Sequence, residues 1–303
     1  MPDPRALFGV ALSLMVLALA GCGGDGGEET AGAARSDRLV DLSQKPPYVN
    51  ALDLDPSTGD FLITTNKGFW RIDPEADRVT RVRGRVTAGR ASSTVGTFLE
   101  LLSTGPGRLL GSGHPDQTQA LPPFLGLIAS EDGGRSWRVI SRLGEADLHK
   151  IVARHGKLYA FDAVLGALLI SGDQGKTFTE RFTPPGLIID FEVDPRDPDR
   201  LIASTESRLL RSDDAGRRWR PVASGDGIRL VWPAPDALYR AEKDGAVERS
   251  RDGGATWQPA GKVPGEPYKF KAVGPERLHL ALSDGTIVST EDGAKSWKTT
   301  FRP

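Results

Sequence analysis

The chain has 303 residues, with 36 Gly, 22 Pro and 40 acidic against 39 basic side chains. A net charge of −1 supplies no single-sign field for nucleic acid or for an anionic membrane face, so no nucleic-acid partner is expected. The single cysteine, Cys22, excludes an intramolecular disulfide.

Met1 to Arg5 is a short, weakly basic start, and Ala6 to Ala20 is uncharged and apolar apart from Ser13. Leu19-Ala20-Gly21-Cys22 follows, with small residues ahead of the cysteine. The apolar run is shorter than the ~20 residues a membrane-spanning helix needs. Residues 1–21 are therefore read as a lipoprotein signal peptide, with lipid carried on Cys22. A transmembrane anchor and an ordinary cleaved signal are the alternatives. Residues 22–37 are rich in Gly and Ala and poor in large apolar residues, which suits a flexible tether. The remaining residues, 38–303, are expected to form one domain on the extracytoplasmic side, anchored to a bacterial cell membrane by lipid. Arg38 to Leu42 is expected to add a short strand that helps close it.

From Tyr48 onward the chain divides into six similar units, each cut into four short strands, A to D. The B strands include LYAFD, LIAST, LYRAE and LHLAL; the C strands include ALLIS, RLLRS, AVERS and TIVST. No stretch after the signal sustains a helical period. Between strands C and D a phrase recurs: SEDGGRSW, SGDQGKTF, SDDAGRRW, SRDGGATW and TEDGAKSW. Its aspartates are Asp132, Asp173, Asp214, Asp252 and Asp292, spaced by 41, 41, 38 and 40 residues. A period near 40 signals a repeat architecture. In each phrase Asp accepts backbone N–H bonds, Gly supplies positive φ, and the aromatic residue opens the next strand. In unit 1 the strand B to C stretch TTNKGFW is at best a decayed relative of the phrase. Short strands at this period predict an all-β fold, a β-propeller of six four-stranded blades.

The phrase resembles the Asp-box, or BNR repeat, of sialidases and related β-propellers. The resemblance implies structural aspartates on the outer hairpins, away from the central pocket. It also places the Asp-box and A-to-B turns at one end of the ring and the B-to-C and D-to-A connections at the other, where propellers bind ligands. The long B-to-C loop Gly113–Phe124 brings His114, Asp116 and Gln117 to that end, and the D-to-A stretch Gly144–His149 brings Glu145, Asp147 and His149. Asp162 and Glu206 are further ligand-binding candidates there. His155 is expected at the far end and His279 between blades. Arg83, Arg85 and Arg90 in the first D-to-A loop, with Lys269 and Lys271 in the last inner strand, are candidate anion contacts.

The whole domain resembles bacterial Asp-box lipoproteins labelled glycosylhydrolase or sialidase-like. That family opens its first inner strand with His-x-His-Gly, where this chain has Tyr48-Val49-Asn50-Ala51. True sialidases carry an early Phe/Tyr-Arg-Ile-Pro motif; Trp70-Arg71-Ile72-Asp73 lies at the wrong position for it. No tight metal-ligand spacing is present, and no cofactor or metal is expected. The preferred reading is a monomeric lipoprotein that binds an envelope glycan or protein through loops near His114 and His149, without catalysis. The alternatives are a glycoside hydrolase acting through Asp116, Glu145 or Asp147, and an assembly factor for a membrane complex.

Overall fold

The computed structural model describes residues 49–116, 121–181, 186–225 and 228–303. Residues 1–21, expected to be a signal peptide, Cys22, residues 22–37, expected to be a tether, Arg38–Leu42 and Gln117 lie outside them. Unit 1 contains β1 (Val49–Leu54), β2 (Phe61–Thr65), β3 (Gly68–Asp73) and β4 (Arg78–Val82). Unit 2 contains β5 (Arg85–Ala88), β6 (Ala91–Gly105), β7 (Arg108–Pro115), β8 (Leu127–Ser130) and β9 (Ser136–Ser141). Unit 3 contains β10 (Leu148–Arg154), β11 (Lys157–Asp162), β12 (Ala167–Ser171) and β13 (Thr179–Arg181). Unit 4 contains β14 (Asp190–Val193), β15 (Leu201–Ser204), β16 (Arg208–Ser212) and β17 (Arg220–Ser224). Unit 5 contains β18 (Arg229–Ala234), β19 (Ala237–Ala241), β20 (Ala246–Ser250) and β21 (Gln258–Lys262). Unit 6 contains β22 (Pro267–Ala272), β23 (Leu278–Leu282), β24 (Ile287–Thr290) and β25 (Lys298–Phe301).

The all-β propeller is as expected, but the count of four-stranded blades is five, not six. Unit 2 is a five-stranded sheet closed on itself. Its long strand β6 pairs first with β5, over Ala91–Thr94, and then with β7 from Val95 onward. β5 in turn pairs in parallel with the outer strand β9, Val86 opposite Trp137. The stretch read as a D-to-A loop is therefore a hairpin along an outer edge. Arg85 and Arg90 belong to that hairpin and do not hang over the channel; Arg85 Nη2 bonds Ser92 Oγ at 2.6 Å. In unit 1 the TTNKGFW stretch is the tight β2–β3 hairpin, at the B-to-C position expected of it, and the C-to-D turn is Asp73–Arg78, where Asp73 accepts N–H bonds from Glu75 and Ala76.

The innermost strands follow one another around a ring, with β22 lying against β1. The core among the described residues is split into six clusters, each between neighbouring units. Sheets covered on both faces need apolar side chains on both faces. This is why β2, β12 and β23 are buried along their whole lengths. The ring closes without a shared blade: Val49, Phe61 and Ile63 of unit 1 pack with Ala281, Ile287 and Phe301 of unit 6. His279 sits in this seam at 6% exposure, edge-on to Phe61 and bonded through Nδ1 to Ser289 Oγ.

The five Asp-boxes share one hydrogen-bond plan. In the first, Ser130 Oγ donates to Asp132 Oδ1 (2.8 Å), the Gly134 N–H donates to Ser130 Oγ (2.9 Å) and the Ser136 N–H donates to Asp132 Oδ1 (2.9 Å). The same carboxylate contacts recur at Asp173, Asp214, Asp252 and Asp292. Burial works against the Asp132 carboxylate, but the Ser136 and Ser130 bonds outweigh it and bring its pKa down to about 2. The box glycine is needed for contact as well as for φ. A Cβ on Gly175 would stand 2.1 Å from Leu127 of unit 2, and one on Gly216 would stand 2.6 Å from Leu168 of unit 3. Each of these turns is seated against the preceding unit. The residue before that glycine is also left-handed in every box, including Gln174 (φ 64°) and Ala215 (φ 57°).

Two outcomes test this packing. A Cβ on Gly261 would lie 1.8 Å from the Ala294 carbonyl oxygen. Gly261→Ala should therefore destabilise at or above the upper end of the ~1–3 kcal/mol typical of overpacking, read by urea unfolding. Burial, with Arg277, Lys271 and Lys298 nearby, lowers the His279 pKa from its ordinary 6.5 to about 4. Between those values the unfolded chain binds a proton that the native chain does not, so stability falls as pH drops through that window. His279→Gln should flatten that slope by roughly 3 kcal/mol across the window, leaving the carboxylate-driven loss at lower pH in place.

Candidate functional site

Hydrogen bonds between connections confirm which ones share an end. Asp-box residues bond A-to-B turns: the Gly133 N–H to Gly107 O and the Gly293 N–H to Glu276 O. At the other end the B-to-C and D-to-A segments bond each other: the Gly144 N–H to Phe124 O and the Ala163 N–H to Asp147 O. His155 lies at the Asp-box end, where its Nε2–H donates to Asp194 O at 2.7 Å.

At the loop end, the structure brings together His114, Asp147 and His149. His114 is near the end of β7 and its Nδ1–H donates to the Pro123 carbonyl (2.8 Å). This fixes the ring against Phe124 and turns Nε2 toward Asp147 Oδ1 at 3.7 Å. His149 Nε2 lies 3.0 Å from Asp147 Oδ2. His149 is the unpaired residue of a β-bulge between Leu148 and Lys150. A bulge places consecutive residues on new headings, so His149 reaches the loops while Lys150 enters the ring. Asn50 and Tyr268 occupy the matching bulges of units 1 and 6.

Other expected members fall elsewhere. Asp162 is fully buried: its Oδ1 accepts the Asp147 N–H (3.1 Å) and the Val164 N–H (3.0 Å). It holds the loops in place and presents no surface to a ligand. Asp116, Glu145 and Glu206 are exposed on their loops. No group of three or more His, Cys, Asp or Glu among the described residues is arranged to hold a metal ion. The same end exposes aliphatic side chains. Val164 and Leu165 in the unit 3 turn stand 51% and 47% exposed, and Leu187 before unit 4 stands 57% exposed. Their chain neighbours Ala163 and Ile188 pack in one core cluster, so the exposed residues flank a shared seam.

A second polar constellation, which repeat analysis does not assemble, runs through the ring. Asp53 of unit 1 pairs with Lys271 of unit 6 (2.7 Å) and accepts the Ser103 N–H of unit 2 (2.8 Å). Asp190 of unit 4 pairs with Lys150 of unit 3 (2.8 Å) and accepts the Leu230 N–H of unit 5 (3.0 Å). Each aspartate also accepts the N–H of its own successor, Leu54 or Phe191. Two carboxylates thus fasten three units each. Between the inner strands lies a cavity of about 150 Å³, bordered by Glu100, Lys150, Glu192 and Lys271. Burial raises the carboxyls of Glu100 and Glu192, although nearby cations oppose it. Burial would lower the Lys150 pKa, but Asp190, Glu192 and Glu100 outweigh it and raise it. The signal was present in the sequence: single charges in otherwise apolar inner strands, as in Phe98-Leu-Glu100-Leu and Leu148-His-Lys150-Ile.

Residues 186–302 match the family model described as photosynthesis system II assembly factor YCF48. No curated protein matches the chain. Among solved structures, YCF48 from Cyanidioschyzon merolae is 13% identical with a TM-score of 0.53, covering 82% of this chain and 96% of that one. A structure of YCF48 bound to D1 peptide is 14% identical with a TM-score of 0.52, covering 82% and 94%. The extracellular domain of the one component system BT4673 from B. thetaiotaomicron is 13% identical with a TM-score of 0.51, covering 82% of this chain and 39% of that one. The class these similarities and the repeats define is the β-propeller built of BNR-type repeats. At such identities the likeness is one of fold, and it does not carry the sialidase-like label.

The ring charges make a direct prediction. Lys150→Met leaves Asp190, Glu192 and Glu100 without their shared cation and should cost about 3–5 kcal/mol. The orphaned carboxyls would hold protons more tightly in the native state, so the deficit should grow as pH rises from 5 to 8. Urea unfolding at several pH values checks both the size and the sign.

Proposed function

We propose that this protein is a non-catalytic binding propeller that holds a segment of a protein partner during assembly of a membrane complex. It would stand on the extracytoplasmic side, tethered by lipid on Cys22. The observation that carries the reading is the loop end itself. Exposed Val164, Leu165 and Leu187 share it with the His114–Asp147–His149 group. Exposed aliphatic clusters beside fixed polar groups suit a polypeptide, whose side chains and amides need both. A glycan site favours flat aromatic rings, and the large apolar side chains left most exposed here are Val and Leu. The match of residues 186–302 to an assembly-factor family supports the same reading, as does a propeller of this fold with a bound peptide.

The hydrolase reading draws less support. A glycosidase acid needs an apolar pocket around one carboxyl and a second carboxyl across the scissile bond. Asp116 and Glu145 are exposed, and Asp147 is shared between two imidazoles. Of the inner carboxyls raised by burial, Glu192 pairs with Lys150 and Glu100 accepts the Leu101 N–H.

The test combines in-cell cross-linking of the full chain with purification from membranes. The expected result is one membrane protein recovered in stoichiometric amount, lost in Val164→Asp/Leu165→Asp while the melting temperature holds. Turnover of any member of a glycoside panel, abolished by Asp116→Asn or Asp147→Asn, would overturn the proposal. So would unchanged recovery with the double variant.

A further inference from the structure

Between units 2 and 3, at the Asp-box end and so opposite the loop site, lies a groove of about 680 Å³. Its floor is apolar: Leu110, Val139, Ile140 and Leu158 contribute. Its rim carries Arg138, Lys157 and Lys176, and no aspartate or glutamate lines it. The overall composition does not account for this, because acids and bases are balanced at 40 and 39.

Several cations elsewhere in the fold have carboxylates. Lys150, Lys271, Lys262 and Arg71 each meet one within 3.2 Å. The groove cations lack such close partners. Arg138 has only a long contact with exposed Glu131, at 3.6 Å. The ammonium groups of Lys157 and Lys176 have no ion pair or hydrogen bond among the described residues. The wall beneath them is fixed. The Arg154 guanidinium donates to the Val193 and Trp232 carbonyls (2.9 and 2.7 Å), and the neighbouring His155 ring is pinned as described above. Two lysines without a counter-charge and an arginine with only a long one repel one another, and an anion seated among them would relieve that repulsion. The apolar floor adds a second requirement, since it is stabilised only by a ligand that carries hydrocarbon. The volume falls in the ~300–1,000 Å³ range of small-molecule sites.

The geometry points to a binding site for an amphipathic organic anion: an aliphatic body laid on Leu110, Ile140 and Leu158, with a carboxylate or phosphate held by Lys157, Lys176 and Arg138. No chemistry is required of the site. A polypeptide with acidic residues is the competing occupant. The compact floor and clustered rim favour the small molecule.

The test is calorimetric titration of the full chain with dodecanoate and dodecyl phosphate below their micellar concentrations. Dodecanol and acetate serve as the uncharged and chainless controls. One equivalent of each amphipathic anion should bind, at least about tenfold more tightly than either control. Lys157→Gln/Lys176→Gln should weaken binding by about tenfold or more with an unchanged melting curve. Gln174→Glu, which places an acid on the exposed groove edge, should weaken it independently. Equal binding of dodecanol and dodecanoate, or unchanged binding by the variants, would overturn the proposal. Binding of an acidic, leucine-containing peptide with no response to dodecanoate would overturn it in favour of a polypeptide.

Discussion

Two aspartates hold the ring together. Asp53 joins units 6, 1 and 2, and Asp190 joins units 3, 4 and 5. Each does so with one lysine and two backbone N–H groups. The buried apolar clusters between units supply most of the favourable area, but hydrophobic contact is non-directional. The carboxylates set how each inner strand is placed beside the next, because a buried ion pair retains its value only with good geometry and saturated hydrogen bonds. The cost is a channel lined by charges, among them the Asp53–Lys271 and Asp190–Lys150 pairs, while the ends and seams of the ring remain as surfaces for partners.

The outer rim is ordered by a different constraint. Each box carboxylate closes its own turn, and the turn then presses its glycine against a strand of the preceding unit. The motif is therefore a spacer between units as much as a local turn. The last box shows the same logic with Ala294. This residue is buried at φ 76°, and its methyl takes part in the core cluster between units 5 and 6. The Ala294 carbonyl faces Gly261, where any side chain would collide with it.

These two restraints leave the loop end and the grooves to vary. The bulge at His149 shows how: one extra residue lets the same strand send Lys150 into the ring and His149 toward the loops. A rigid frame with adaptable connections suits a protein that recognises a partner by surface shape. It also lets two ends of one molecule present different chemistry, aliphatic and imidazole at one, cationic over an apolar floor at the other.

Much of this was legible in the amino-acid sequence. The spaced aspartates, the paired B and C strands and the long loop after Gly113 determined a propeller, its turns and the meeting of His114 with Asp147 and His149. Those features are local or periodic, and a linear chain displays them. Tertiary structure alone decided the rest. Asp162 reads as an available acid until the fold buries it under Asp147. Arg85 and Arg90 read as loop charges until β5 pairs with β9 and closes unit 2. Asp53, Glu100, Lys150 and Asp190 are isolated charges in separate strands until the ring brings them together. Pairings between residues 40 to 218 positions apart depend on how the units close on one another, and no single repeat encodes that closure.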